Sequence, residues 1–181
     1  MRSFIAAGLL ALALSWAGAP RATAADAPVD RFFGTYQGRS IQSADSGLSA
    51  RDLSVAIRAH DEGFEVSWTT VIHRAGGTKH AAYAIDFVPT ERPNIFQSAM
   101  RRDVFGHAEP LDPMRGEPFV WARIAGDTLT VYALLIDDEG GYEIQTYDRT
   151  LTADGLALRF SRDRDGRALA PVTGTLKRTG P

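Results

Sequence analysis

Phe119, Trp121 and Arg123 form the most suggestive chemical constellation in the sequence. Alternate side chains of an extended strand share a face, so two rings and one guanidinium fall together, with Val120, Ala122 and Ile124 opposite. An aromatic wall carrying one guanidinium suits an apolar ligand with a carboxylate, because guanidinium–carboxylate bonds are charge-assisted and rings supply apolar area. The opposite assignment packs Val120, Ala122 and Ile124 into a core and leaves Arg123 in water. Periodicity alone leaves both open. Tyr132 on the following strand and Trp68 earlier in the chain are further candidates for the wall of a ligand void. Arg101 and Arg102 open a Pro- and Gly-containing segment that runs to Glu117, and with Arg115 they are candidate anchors for an anionic group. The competing reading pairs these arginines with Asp103, Asp112 and Glu117 at the surface.

Other chemistries find less support. His73 and His80 flank Ala75-Gly76-Gly77, where a hairpin would bring two imidazoles near each other, but no third ligand stands nearby for a metal. His60, beside Asp61-Glu62, reads as the end of a strand. The chain has no Cys, so a nucleophile would be Ser or Thr, and no Gly-x-Ser-x-Gly elbow occurs. Gly34, Gly38 and Gly47 are not spaced as a phosphate loop, and no helix follows them. Asp86 alternates onto the polar side of Tyr83, Ile85 and Phe87, and Asp137, Asp138 and Glu139 belong to a turn. No catalytic residue, metal or cofactor is expected.

The elements that must position these residues are strands. Leu53, Val55, Ile57 and Ala59 alternate with polar or small residues; Phe64, Val66 and Trp68 do the same, as do Tyr83, Ile85 and Phe87. The stretch from Val120 to Phe160 reads as four strands, broken at Gly126-Asp127, Asp137–Gly141 and Asp154-Gly155. With Phe32–Ser40, Ile95–Met100 and Val172–Arg178 the count is about ten, and apolar spacing of three and four nowhere persists. Short strands joined by tight turns give an antiparallel meander of about eight to ten strands, which hides its edges by closing into a barrel. A two-sheet sandwich is the alternative. Trp68, Phe87, Leu129, Val131, Leu158 and Phe160 are expected in the core, and the strand alanines Ala56, Ala82, Ala84, Ala122, Ala133 and Ala157 leave room for a cavity.

The aromatic pair Phe32-Phe33 followed by Gly34-x-Tyr36 resembles the Gly-x-Trp opening of the lipocalins and their calycin relatives, with Tyr36 at the aromatic position. The resemblance implies a lipocalin-like barrel able to hold a ligand.

The chain opens with Arg2, an apolar run from Ile5 to Leu14 and the small residues Ala22-Thr23-Ala24. That is the pattern of a signal peptide, too short to span a bilayer, and it predicts cleavage near Ala24 and a periplasmic or secreted protein. The expected organisation is therefore a signal peptide over residues 1–24, a flexible lead over 25–30 and one barrel domain over 31–181. Loss of Arg2 and Arg21 would take the formal charge from −2 to about −4, which argues against nucleic acid as a partner. No integral membrane segment is expected in the mature chain, and no protein partner can be named. The first functional expectation is a non-enzymatic binding protein holding a small apolar or amphipathic molecule in the barrel. The alternatives are an accessory envelope module that docks to another protein, and a small hydrolase or isomerase.

Overall fold

Alternating side chains become strands wherever a turn rich in Asp or Gly reverses the chain, because those residues tolerate positive φ. At Asp165-Gly166 both residues do so, with φ of 51° and 76°, the pairing a tight two-residue hairpin requires. The computed structural model describes residues 28–40, 51–74, 77–98, 101–102, 108–109 and 111–181. Residues 1–27, with the expected signal peptide and the first half of the expected lead, lie outside the described residues. The strands are β1 (Gly34–Ser40), β2 (Arg51–His60), β3 (Gly63–Arg74), β4 (Gly77–Pro89), β5 (Ile95–Ser98), β6 (Arg101–Arg102), β7 (Ala108–Glu109), β8 (Phe119–Ala125), β9 (Thr128–Ile136), β10 (Tyr142–Leu151), β11 (Gly155–Arg164), β12 (Arg167–Ala168) and β13 (Val172–Gly180).

Ten of these follow one another as an antiparallel meander, β1-β2-β3-β4-β5-β8-β9-β10-β11-β13. β13 pairs back onto β1, so the sheet closes into the expected barrel and no barrel strand is left as a free edge. No α-helix occurs among the described residues. β6 and β7 form a separate two-stranded ribbon between β5 and β8, within the Pro- and Gly-containing segment that runs from Arg101 to Glu117. Val29 and Asp30, read as the end of the lead, belong with Phe32 to a 3-10 turn, so the first strand starts only at Gly34.

Cross-strand partners share a face, so the registers carry one face around the whole wall. Tyr36 opposes Val55, Val55 opposes Trp68, and Trp68 opposes Tyr83. Phe96 opposes Ala122, Ala122 opposes Val131, Val131 opposes Tyr147, and Tyr147 opposes Phe160. Phe160 opposes Val172 on β13, where Gly174 opposes Ser40 of β1. This face is the interior. Its lower part is a packed apolar core in which Phe32, Tyr36, Phe64, Val66, Leu129, Leu156 and Leu176 are completely buried. Phe64 stacks on Phe87 at 5.2 Å and meets Phe96 edge-on at 5.0 Å.

The 3-10 turn lies at this closed end. The Tyr36 hydroxyl donates to the Phe32 carbonyl at 2.8 Å, and Arg178 Nη2 donates to the Tyr36 oxygen at 2.8 Å. The Arg178 guanidinium also sits 5.1 Å over the Tyr36 ring, tying the last strand to the first. Arg31 pairs with Asp127 of the β8–β9 turn. The other end of the barrel is where β1 finishes, β10 begins and the β6–β7 ribbon is inserted.

Candidate functional site: the barrel lumen

Toward the open end the apolar core gives way to aromatic and polar side chains. Trp68 on β3 and Tyr147 on β10 come from strands five places apart in a ring of ten, so their contact at 5.6 Å crosses the lumen. Tyr83 stacks on the far side of Trp68 at 5.2 Å, and Phe160 on Tyr147 at 4.5 Å. These four rings floor a cavity of about 230 Å3 whose wall also includes Ile72, Leu158 and Ser40. A wider groove of about 980 Å3 lies on the outer wall among Gln37, Arg39, Asp148, Arg159 and Lys177. We place the site in the lumen, because the outer groove is bordered by solvated charged side chains and encloses nothing.

The inner face of β10 carries a polar ladder, Glu143, Gln145, Tyr147 and Arg149. The Tyr147 hydroxyl donates to Gln145 Oε1 at 2.7 Å, and Gln145 Nε2 donates to Glu143 Oε1 at 2.8 Å. Arg164 donates to Glu143 Oε2 through Nη2 at 2.7 Å and Nε at 3.0 Å, and Arg162 Nη1 stands 3.8 Å from Oε1. Burial pushes the Glu143 carboxyl up, but the bonds from Gln145 and Arg164 and the two arginine charges outweigh it and hold it below its usual 4.5. Burial raises the Tyr147 phenol to about 12.

Arg149 differs from the other arginines of the lumen. It is 3% exposed, its guanidinium lies 5.4 Å from the Trp68 ring and 5.8 Å from the Tyr147 ring, and Nη1 reaches the Tyr147 carbonyl only at 3.4 Å. Nε is buried without a hydrogen-bond partner, as are the hydroxyls of Ser40 and Ser98. Burial draws the guanidinium down to about 10, against the opposing influence of Tyr147 and Asp148, so it remains a cation at neutral pH. A buried cation with an unpaired donor carries a desolvation cost that cation–π contacts offset only in part.

Of the residues marked out by sequence, Trp68 reaches this site. The registers give Phe119, Trp121 and Arg123 the face opposite to Val120, Ala122 and Ile124, and the latter three are buried inside. The aromatic–Arg face is thus on the outer wall, where Trp121 stacks on Tyr132 at 4.8 Å and 15° and Arg123 is exposed. Arg101 and Arg102 lie on β6, and their side chains are outside the described residues. His80 opposes Val71 and His73 opposes Thr78, so the two histidines are offset. His60 Nδ1 lies 2.7 Å from Asp86 Oδ1 on the outer face, and no metal-ligating group of three occurs among the described residues.

Two structural expectations need correction. Ala56, Ala82, Ala84 and Ala157 share registers with outward residues, so only Ala122 and Ala133 of the six strand alanines face inward. The space in the lumen comes instead from Ala81, Gly174 and the polar side chains of the open half. Phe87, Leu129 and Val131 are buried as expected, whereas Trp68, Leu158 and Phe160 are partly exposed because they line the cavity.

Sequence reasoning passed over Glu143, Gln145, Tyr147 and Arg149. A signal for them exists: Leu151 opposes Leu156 across the Asp154-Gly155 turn, and parity counted back from Leu151 places all four inside. No protein-family model matches the chain, and no curated protein matches it.

Proposed function

We propose that this chain is a binding protein that holds a small apolar or amphipathic molecule in the open half of its barrel and works in the periplasm or outside the cell. The observation that carries the reading is the lumen cavity floored by Trp68, Tyr83, Tyr147 and Phe160. Concave, mostly apolar sites with a few fixed polar groups are how proteins take small ligands. The Gly34-x-Tyr36 opening together with a closed up-and-down barrel is compatible with a lipocalin-like, calycin-type protein. Acid–base catalysis is disfavoured, since Glu143, the acidic group on the described inner face, is held ionised by Arg164 and Arg162 rather than poised near neutrality.

Native mass spectrometry of the protein purified from its own host tests this. A co-purifying molecule of small mass, lost in a Trp68→Ala variant, supports it. No adduct, and no response of tryptophan fluorescence to a broad apolar panel, would overturn it. The outward Trp121–Tyr132 stack beside Phe119 favours a second reading, a module docking to an envelope protein through its wall. In that case Trp121→Ala should abolish capture of the partner and leave ligand titrations unchanged.

Export belongs to the same proposal. The Ile5–Leu14 run and Ala22-Thr23-Ala24 support removal of residues 1–24. Material recovered outside the cytoplasm should begin near Ala25; intact Met1 on that material would contradict it. No helix among the described residues is long and apolar enough to cross a membrane.

A further inference from the structure

We infer that the occupant of the lumen is an uncharged molecule built on one ring, with that ring against Trp68, Tyr147 and Phe160. The inference deepens the lumen-binding reading above and rests on it. It follows from what lines the cavity, from where the charges of the barrel sit, and from size.

The lining is neutral. Aliphatic side chains such as Leu53 and Ile72 join the rings of the floor, and among the described residues no Asp, Glu, Lys, Arg or His borders the cavity. Its polar side chains carry hydroxyls, as in Thr70 and Tyr83. A hydroxyl exchanges hydrogen bonds with a neutral polar group but brings no charge to balance an ion. The Tyr147 proton already goes to Gln145, and burial lifts that phenol to about 12, so it stays neutral. An ionised ligand would leave water for this lining and meet no counter-ion, which costs far more than moving a neutral hydroxyl.

The charges of the inner face are engaged elsewhere. Glu143 accepts from Gln145 and Arg164, with Arg162 3.8 Å away. Arg149 is 3% exposed and does not border the cavity, so it offers a carboxylate there no donor. An ammonium fares no better. The Arg149 guanidinium stands 5.4 Å from the Trp68 ring and 5.8 Å from the Tyr147 ring, so it already uses their attraction for a cation, and its like charge opposes a second one. The aromatic–Arg pattern that suits a carboxylate, Phe119, Trp121 and Arg123, lies on the outer wall.

Size narrows the class further. A cavity of about 150 Å3 lined by apolar side chains accepts benzene. The lumen cavity, at about 230 Å3, has space for one ring and a short arm. Stacking of Tyr83 on Trp68 and of Phe160 on Tyr147 holds the floor rings in place, and such rings pair well with a ligand ring, offset or edge-on.

The test is calorimetric titration of the full chain at neutral pH with 2-phenylethanol, sodium phenylacetate and 2-phenylethylammonium chloride, which share the ring and nearly the same length. The alcohol should bind at least about tenfold more tightly than either ion, because neither ion finds a partner for its charge. Ala81→Phe, which pushes a side chain into the cavity, should abolish binding of the alcohol. Binding of either ion as tightly as the alcohol overturns the neutral assignment and leaves lumen binding standing. Binding of none of the three overturns both, as does alcohol binding that Ala81→Phe leaves unchanged. Should Ala81→Phe fail to fold, Leu158→Ala decides where the alcohol sits, since it enlarges the same cavity. It should raise the affinity for 2-(1-naphthyl)ethanol relative to 2-phenylethanol, and an unchanged ratio overturns both readings.

Discussion

Two arginines show how much one step of parity matters. Arg123 sits at an exposed outer position of β8, while Arg149 faces inward on β10 and is almost wholly buried. The residues beside Arg149 give the barrel its pH response. The Glu143 carboxyl is held below 4.5, so its contribution to stability is present at neutral pH and is lost as the pH falls through the lowered folded value. Glu143→Gln should therefore destabilise at pH 7, and the difference from the unaltered protein should close in acid, as followed by urea melts at stepped pH. A gap that stays constant down to pH 3 would remove Glu143 from the ion-paired arrangement. Tyr147 works in the opposite direction. Its folded value of about 12 lies above the ordinary 10, so the stability it brings is complete below about pH 10 and lost by about pH 12. Tyr147→Phe should flatten that alkaline decline, with Tyr36, also raised by burial, accounting for what remains. At the core, Leu129→Ala should cost about 2 to 5 kcal/mol, the range for a large-to-small change at a fully buried site. Leu158→Ala should cost less, because Leu158 already borders a void.

At the scale of elements, β10 carries two jobs on its two faces. Its outward side pairs with neighbours through ordinary polar contacts, such as Thr130 Oγ1 donating to Asp148 Oδ1 at 2.8 Å, and its inward side carries the ladder from Glu143 to Arg149. Both faces therefore look polar in sequence, and alternation does not say which is inside. Strands with one apolar face, such as β3 with Phe64, Val66 and Trp68, were legible at once. The β1–β13 seam depends on a missing side chain. A Cβ at Gly38 would stand 2.0 Å from the Thr175 carbonyl oxygen and 2.9 Å from Leu176 Cδ2, so backbone must move to admit it. Gly38→Ala should cost about 1 to 3 kcal/mol in denaturant melts, as overpacking does. A loss below about half a kilocalorie would show that the seam opens without strain.

The whole molecule depends on that seam. β13 pairs with β11 on one side and β1 on the other, so ten strands close only when residues 172–180 meet residues 34–40. A chain ending at Pro171 should expose edges on both β1 and β11 and be recovered aggregated, whereas the full chain should fold on the millisecond-to-second scale of non-local β topologies. Soluble, cooperative unfolding of the truncated chain would refute the account. The all-β class, the count of about ten strands and the turns at Gly126, Asp137–Gly141 and Asp165-Gly166 were determined by sequence alone, because period-two alternation and positive-φ residues are local properties. So was the placing of Phe87, Leu129 and Val131 in the core, which alternation of apolar side chains indicated. Tertiary structure decided the rest. Whether Trp121 or Ala122 faces the lumen depends on registers set by β5 and β9, and the meeting of Trp68 with Tyr147 and Arg149 joins positions about eighty residues apart across the barrel. Closure alone brings those side chains together, and no local pattern in the sequence encodes the diameter they cross.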